Sequence, residues 1–122
     1  MLTDILFPIF DHLETLGVPC YLADCVPQGT ALPYITAEVQ PPLHPGMEGS
    51  LTLTYWCTGA LANTQRLTQM DALSSLLPPR GLWLSMTGGA IVLRPLDQVK
   101  CVTEATAQGV QEKWKLLCFP SA

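Results

Sequence analysis

Two hydrophobic periods in one short chain constrain the fold more than any single residue does. Leu2, Ile5, Leu6, Ile9, Phe10, Leu13 and Leu16 recur every three or four positions, which lays one apolar stripe along a helix. Gly17 and Pro19 then supply a stop signal. Pro8 interrupts the stripe and cannot donate to the carbonyl of Asp4, so this helix either begins late or bends there. From Tyr34 onward the period changes to two. Tyr34, Thr36 and Glu38 fall on one face of a strand, with Ile35, Ala37 and Val39 on the other. Leu51, Leu53, Tyr55 and Cys57 likewise share a face opposite Thr52, Thr54 and Trp56. With no helical crossover between them, these two runs are expected to pair as an antiparallel hairpin.

The connection between the two runs, from Pro41 to Gly49, is longer than the two to five residues of a tight hairpin loop. Either it is an irregular connector or it projects to touch a partner. Before the first run, Val18 to Thr30 is rich in turn residues and holds at most one short strand at Cys20 to Ala23.

After Thr58, a residue suited to an N-cap, a second helix is expected from about Ala60 to Leu77, with Asn63, Leu67, Met70, Leu73 and Leu77 along one stripe. Pro78 and Pro79 end it. Leu82 to Leu84 and Ala90 to Leu93 flank Thr87-Gly88-Gly89, which reads as another hairpin. Those glycines are not a phosphate cradle, because no helix opens after them and no Lys-Ser/Thr pair follows. Val99 to Val102 extends a strand, Thr103 to Gly109 reads as a polar loop, and Val110 to Phe119 alternates once more. Val110, Glu112, Trp114, Leu116 and Cys118 fall on one side of that last strand. As a terminal strand it is expected at a sheet edge, in its own subunit or as a donor to a neighbour.

These elements predict a single α+β domain over residues 1–122, in the order α-β-β-α-β-β-β. Its four to five strands, antiparallel or mixed, would pack against two helices. Only 13% of the residues are charged, about half of the ~25% usual in soluble proteins. Little polar surface is then available to cover a lone subunit, and a buried partner surface is expected.

Charge is also unevenly distributed. Up to Gln65 the chain carries six acids and no base; from Arg66 onward six bases outnumber Asp71, Asp97, Glu104 and Glu112. Such asymmetry suits head-to-tail contact between copies, unless folding mixes the two halves. The net charge of −4 and the absence of any Lys/Arg cluster disfavour binding to nucleic acid through its phosphates. No run of apolar residues is long enough to span a membrane, and the N-terminus lacks a signal-peptide pattern.

Nothing in the sequence points to catalysis, a cofactor or a metal. The five cysteines, Cys20, Cys25, Cys57, Cys101 and Cys118, are odd in number and irregular in spacing, as expected of reduced thiols. Neither His12 nor His44 stands in a motif that would pair it with a nucleophile.

The order of elements resembles that of tailed-phage tail terminator and tail-completion proteins. It is carried by the N-terminal helix, the long-looped hairpin opened by Pro33-Tyr34-Ile35-Thr36, the strand running into a helix between Leu51 and Leu77, and the hairpin and closing strand. The resemblance implies a ring subunit, hexameric, that caps the tail tube, stops its polymerisation and docks to the head connector. Its place would be the virion, with assembly in the bacterial host cytoplasm. No fixed functional residues carry over with it. A small ferredoxin-like ligand-binding or regulatory module is the alternative. The contacts expected from the chain itself are Leu43, His44 and Met47 in the long connection, Thr87 and Gly88 in the turn, and Lys113, Trp114 and Lys115 on the last strand.

Overall fold

The computed structural model describes residues 2–15, 19–31, 33–42, 47–58, 68, 71, 81–86, 88–104 and 107–120. Helix α1 (Leu2–Glu14) is followed by β1 (Cys20–Leu22), β2 (Tyr34–Gln40), β3 (Glu48–Thr58), β4 (Leu82–Met86), β5 (Gly89–Glu104) and β6 (Ala107–Pro120). The strands form one curled, mixed sheet in the order β1-β2-β3-β6-β5-β4. Only β1 and β2 are parallel; the other neighbours are antiparallel.

The architecture is therefore mostly β, and the expected sheet of four to five strands against two helices is overturned. Among the described residues α1 is the one complete helix, and the sheet has six strands. The helix expected over 60–77 lies outside the described residues apart from Thr68 and Asp71, which are helical. The order of elements is also unlike the split βαβ pattern of a ferredoxin-like module.

The local periodicities explain most of the elements. Ile5, Leu6, Ile9 and Leu13 are all buried, so the apolar stripe of α1 is its packing face. The helix continues through Pro8 and closes where Thr15 donates, from both its backbone N–H and its hydroxyl, to the carbonyl of His12. Strand β2 has the bounds its alternation predicts, with Ile35 and Ala37 fully buried. On β3 the same holds for Leu51 and Leu53, and Ala37 faces Leu53 across the ladder.

The C-terminal half departs furthest from expectation. Strand β6 is not an edge: it lies between β3 and β5 and pairs with both along nearly its whole length. The segment expected to be a polar loop, Thr103 to Gly109, is instead largely strand, with only residues 105 and 106 between β5 and β6. The ring of Trp56 lies against Gly109, where a Cβ would come within 3.0 Å of Trp56 Cε3. An aromatic side chain thus covers a glycine that would otherwise weaken the strand. Pro95, which has no N–H to give a ladder, marks a register shift between Pro95 and Val99 and lets β5 continue past it.

One core results. Ile5, Ile9 and Leu13 of α1 pack with Ile35, Ala37, Leu51, Leu53, Ile91, Leu93, Val110, Trp114, Leu116 and Cys118 from the concave side of the sheet. The helix also touches β1 and β4, the two edge strands, as a sheet curled around it requires.

Candidate interaction surface

A sheet that buries one face on a helix leaves the other to be explained. Inward positions on the last three strands are Leu82, Leu84 and Met86 of β4, Ile91 and Leu93 of β5, and Val110, Trp114, Leu116 and Cys118 of β6. Pleating turns the residues between them outward. Two outward rows cross β4, β5 and β6. In one, Trp83 faces Val92, which faces Leu117; in the other, Ser85 faces Ala90, which faces Phe119. Trp83 is 69% and Phe119 47% exposed. Five of these six side chains are apolar on a face that the core does not use. Contiguous exposed apolar surface of this kind marks contact sites on small proteins.

The bases lie beside these rows. Arg94 of β5 faces Lys115 of β6, Lys113 stands two residues away on the same strand, and Lys100 faces Gln111 further along. All four are on the outer face, and Arg94, Lys100 and Lys113 are exposed. Two like charges directly opposite one another are unfavourable by about 0.2 to 1 kcal/mol. Glu48 relieves part of this by pairing with Lys115 at 2.9 Å. That pair is well exposed, and its contribution is small.

The outer face over β2, β3 and the start of β6 has a different character. Thr36 and Thr54 are buried there, and Trp56 Nε1 donates to Thr36 Oγ1 at 2.9 Å while Gln111 Nε2 donates to Thr54 Oγ1 at 3.3 Å. These cross-strand bonds bind β2 to β3 and β3 to β6. Three acids lie near β1: Glu14, whose charge reaches Cys20, Asp24 and Glu38. Asp11 and Glu14 are exposed on α1, Asp24 follows β1, and Glu38 is exposed on β2. The N–H of Ala23 donates to the carbonyl of Ala37 at 3.0 Å, which brings Asp24 close to Glu38 in the sheet. Of the other acids, Glu48 is paired as above, Asp71 is exposed in its helical stretch, and Glu112 is buried between Val110 and Trp114 on β6.

The contacts expected from sequence are only partly brought together. Lys113 and Lys115 lie on the outer face, Met47 is 46% exposed just before β3, and Gly88 is exposed in the β4–β5 turn with φ of 82°. Trp114 is 1% exposed and belongs to the core, so as a surface contact it is corrected: the alternation that turns Lys113 and Lys115 outward turns Trp114 in. Leu43, His44 and Thr87 lie outside the described residues. The outward residues Trp83, Val92, Leu117 and Phe119 were not singled out from sequence. The signal for them was the run Leu82-Trp83-Leu84, whose central Trp must face away from its neighbours.

Cysteine chemistry is set by burial. Cys20 sits on β1 with its thiol pushed up to about 12, first by desolvation and then by the nearby charge of Glu14. Desolvation raises the Cys118 thiol as well. Cys25 and Cys101 are exposed, and all four thiols are free. A thiol-reactive disulfide reagent should therefore label Cys25 and Cys101 in the folded protein, and Cys20 and Cys118 only on unfolding. Labelling of all four at one rate would contradict this packing. The raised thiol also has a consequence for stability. The folded state favours the protonated form of Cys20, so its contribution is intact below the ordinary thiol value of 9.0 and is lost as pH rises towards about 12. Urea midpoints across that range should fall less for Cys20→Ala than for the parent chain.

No group of three or more His, Cys, Asp or Glu among the described residues is arranged to hold a metal ion. No described helix is long and apolar enough to cross a membrane. No protein-family model matches the chain, and none of the curated proteins does. One solved structure, of a protein whose name states no function, is similar over 98% of this chain and 94% of its own, with a TM-score of 0.61 at 15% identity. At that identity the likeness concerns the fold alone, and it extends to nearly the whole of both chains.

Proposed function

We propose that this chain is a non-enzymatic structural protein of phage or prophage assembly, a tail terminator or tail-completion subunit. In this reading it forms a ring at the end of the tail tube and offers a surface to the head connector. The supporting observation is the outward row Trp83–Val92–Leu117 with Phe119 beside it, on the face of the sheet opposite the core. A protein that works by tiling needs such a surface, and its role requires no titrating pair or ligand pocket. The low charge content points the same way.

Native mass spectrometry at rising protein concentration is the direct test. Species larger than a dimer should accumulate, and negative-stain images should show closed rings. Trp83→Glu should shift the population to monomer without altering the far-UV circular dichroism. A particle that stays monomeric throughout the range would end the ring reading.

A further inference from the structure

The strand order keeps the two halves of the sequence apart in space. Because β6 inserts beside β3, the sheet reads β1-β2-β3 on one side and β6-β5-β4 on the other. Of the exposed acids of the first half, Glu14, Asp24 and Glu38 stay around β1 and β2 and Asp11 is on α1, whereas Glu48 reaches Lys115; Arg94, Lys100, Lys113 and Lys115 occupy the outer face of β5 and β6. Among the charged side chains whose exposure is described, folding keeps most of the charge asymmetry, with Glu48 the exception.

We infer that these are the two halves of one contact between copies of this chain. The basic outer face of β5–β6, with its apolar border of Trp83, Val92, Leu117 and Phe119, is covered by the acidic rim around β1 of the next copy. The inference rests on the ring reading above and adds to it the faces and the direction of assembly. The occupant is a second copy because the complementary charge lies on the same chain, at the opposite side of its sheet. The two patches are different surfaces, so the contact is head-to-tail. A contact of that kind closes into a ring or continues as a filament, and it does not stop at a two-fold dimer. The apolar rows supply the area that is removed from water, and the charges fix the orientation and exclude the like-to-like pairing of two basic faces.

Paired charge reversals test this. One variant carries Arg94→Glu and Lys113→Glu on the basic face; the other carries Glu14→Lys and Glu38→Lys on the acidic rim. All four positions are exposed. Sedimentation velocity at low ionic strength should show that each variant alone has lost the assembly of the parent chain. An equimolar mixture should regain it, because the acidic rim of one variant meets the basic face of the other and the reversed pair is complementary as well. Rescue by mixing also shows that both variants are folded. Added salt should weaken the parent assembly, since about 0.1 M screens exposed charges beyond about 10 Å.

If both variants assemble as the parent does, the charge pairing is wrong while the ring reading stands on some other surface. A parent chain that is monomeric at every concentration overturns both. Duplex DNA binding to the monomeric parent, lost in the Arg94→Glu and Lys113→Glu variant, would assign the basic face to a polyanion and overturn the inference.

Discussion

Trp114→Ala should lower the stability of the fold by about 3 to 5 kcal/mol, the range for emptying a large aromatic site in a packed core. Trp114 heads the fully buried side chains and stands on the central strand β6, facing Leu51 of β3 and Pro95 of β5 across the two ladders. Its loss opens a void beneath the middle of the sheet, where neither α1 nor the neighbouring strands can close in without breaking register. Urea denaturation should show a lower midpoint with an unchanged slope. Trp114→Phe should cost much less. Among the described residues the indole Nε1 finds no acceptor although it is buried, so phenylalanine keeps most of the packing and removes an unsatisfied donor. Equal losses for the two variants would mean that Trp114 acts through a hydrogen bond and not through volume.

The second large effect is expected at Gly81, the residue before β4. Its φ is 100°, in the region where a side chain is strained, and a Cβ there would stand 2.6 Å from the carbonyl oxygen of Leu93. The two penalties are independent. Holding a non-glycine residue in such a conformation costs about 1 to 3 kcal/mol, and forcing an atom into closed packing about 1 to 3 kcal/mol more. The carbonyl belongs to the β5 backbone opposite Leu82, so the chain can relieve the contact only by prying β4 from β5. Gly81→Val should thus destabilise strongly and raise amide exchange along β4. Gly81→Asn should cost less, because asparagine tolerates left-handed backbone better while bringing the same Cβ. If Gly81→Val melts with the parent chain, neither penalty operates.

What could be read from the chain in advance was what depends on neighbours in sequence. The stripe of α1, the bounds and faces of β2, the pairing of β2 with β3 and that of β4 with β5 all follow from local periodicity. The inward set of β6, from Val110 to Cys118, did too. Strand order did not, because pairing β3 with β6 joins Glu48 to Leu117 across most of the chain, and no local pattern encodes that choice. Two strand segments were also hidden by their composition. The runs Ala90 to Leu93 and Val99 to Val102 read as separate pieces, yet a register shift at Pro95 joins them in one strand, β5. Gly109 reads as loop until Trp56 is seen lying over it. The candidate surface was hidden for a related reason: alternation separates the two faces of a strand without saying which will find a partner. Lys113 and Lys115 were found because they are charged, whereas Trp83 and Phe119 pass as core residues until the sheet has a concave side.

The position of β6 has a consequence for biosynthesis. Strands β3 and β5 do not pair with each other, and each relies on the segment 107–120 as its neighbour. While the chain is emerging from the ribosome, the sheet remains two separate hairpins until this late segment slots between them. Pairings so distant in sequence form slowly. The basic face of β5 and β6 therefore forms only once this segment is in place, whereas the acidic residues of α1, β1 and β2 do not wait for it.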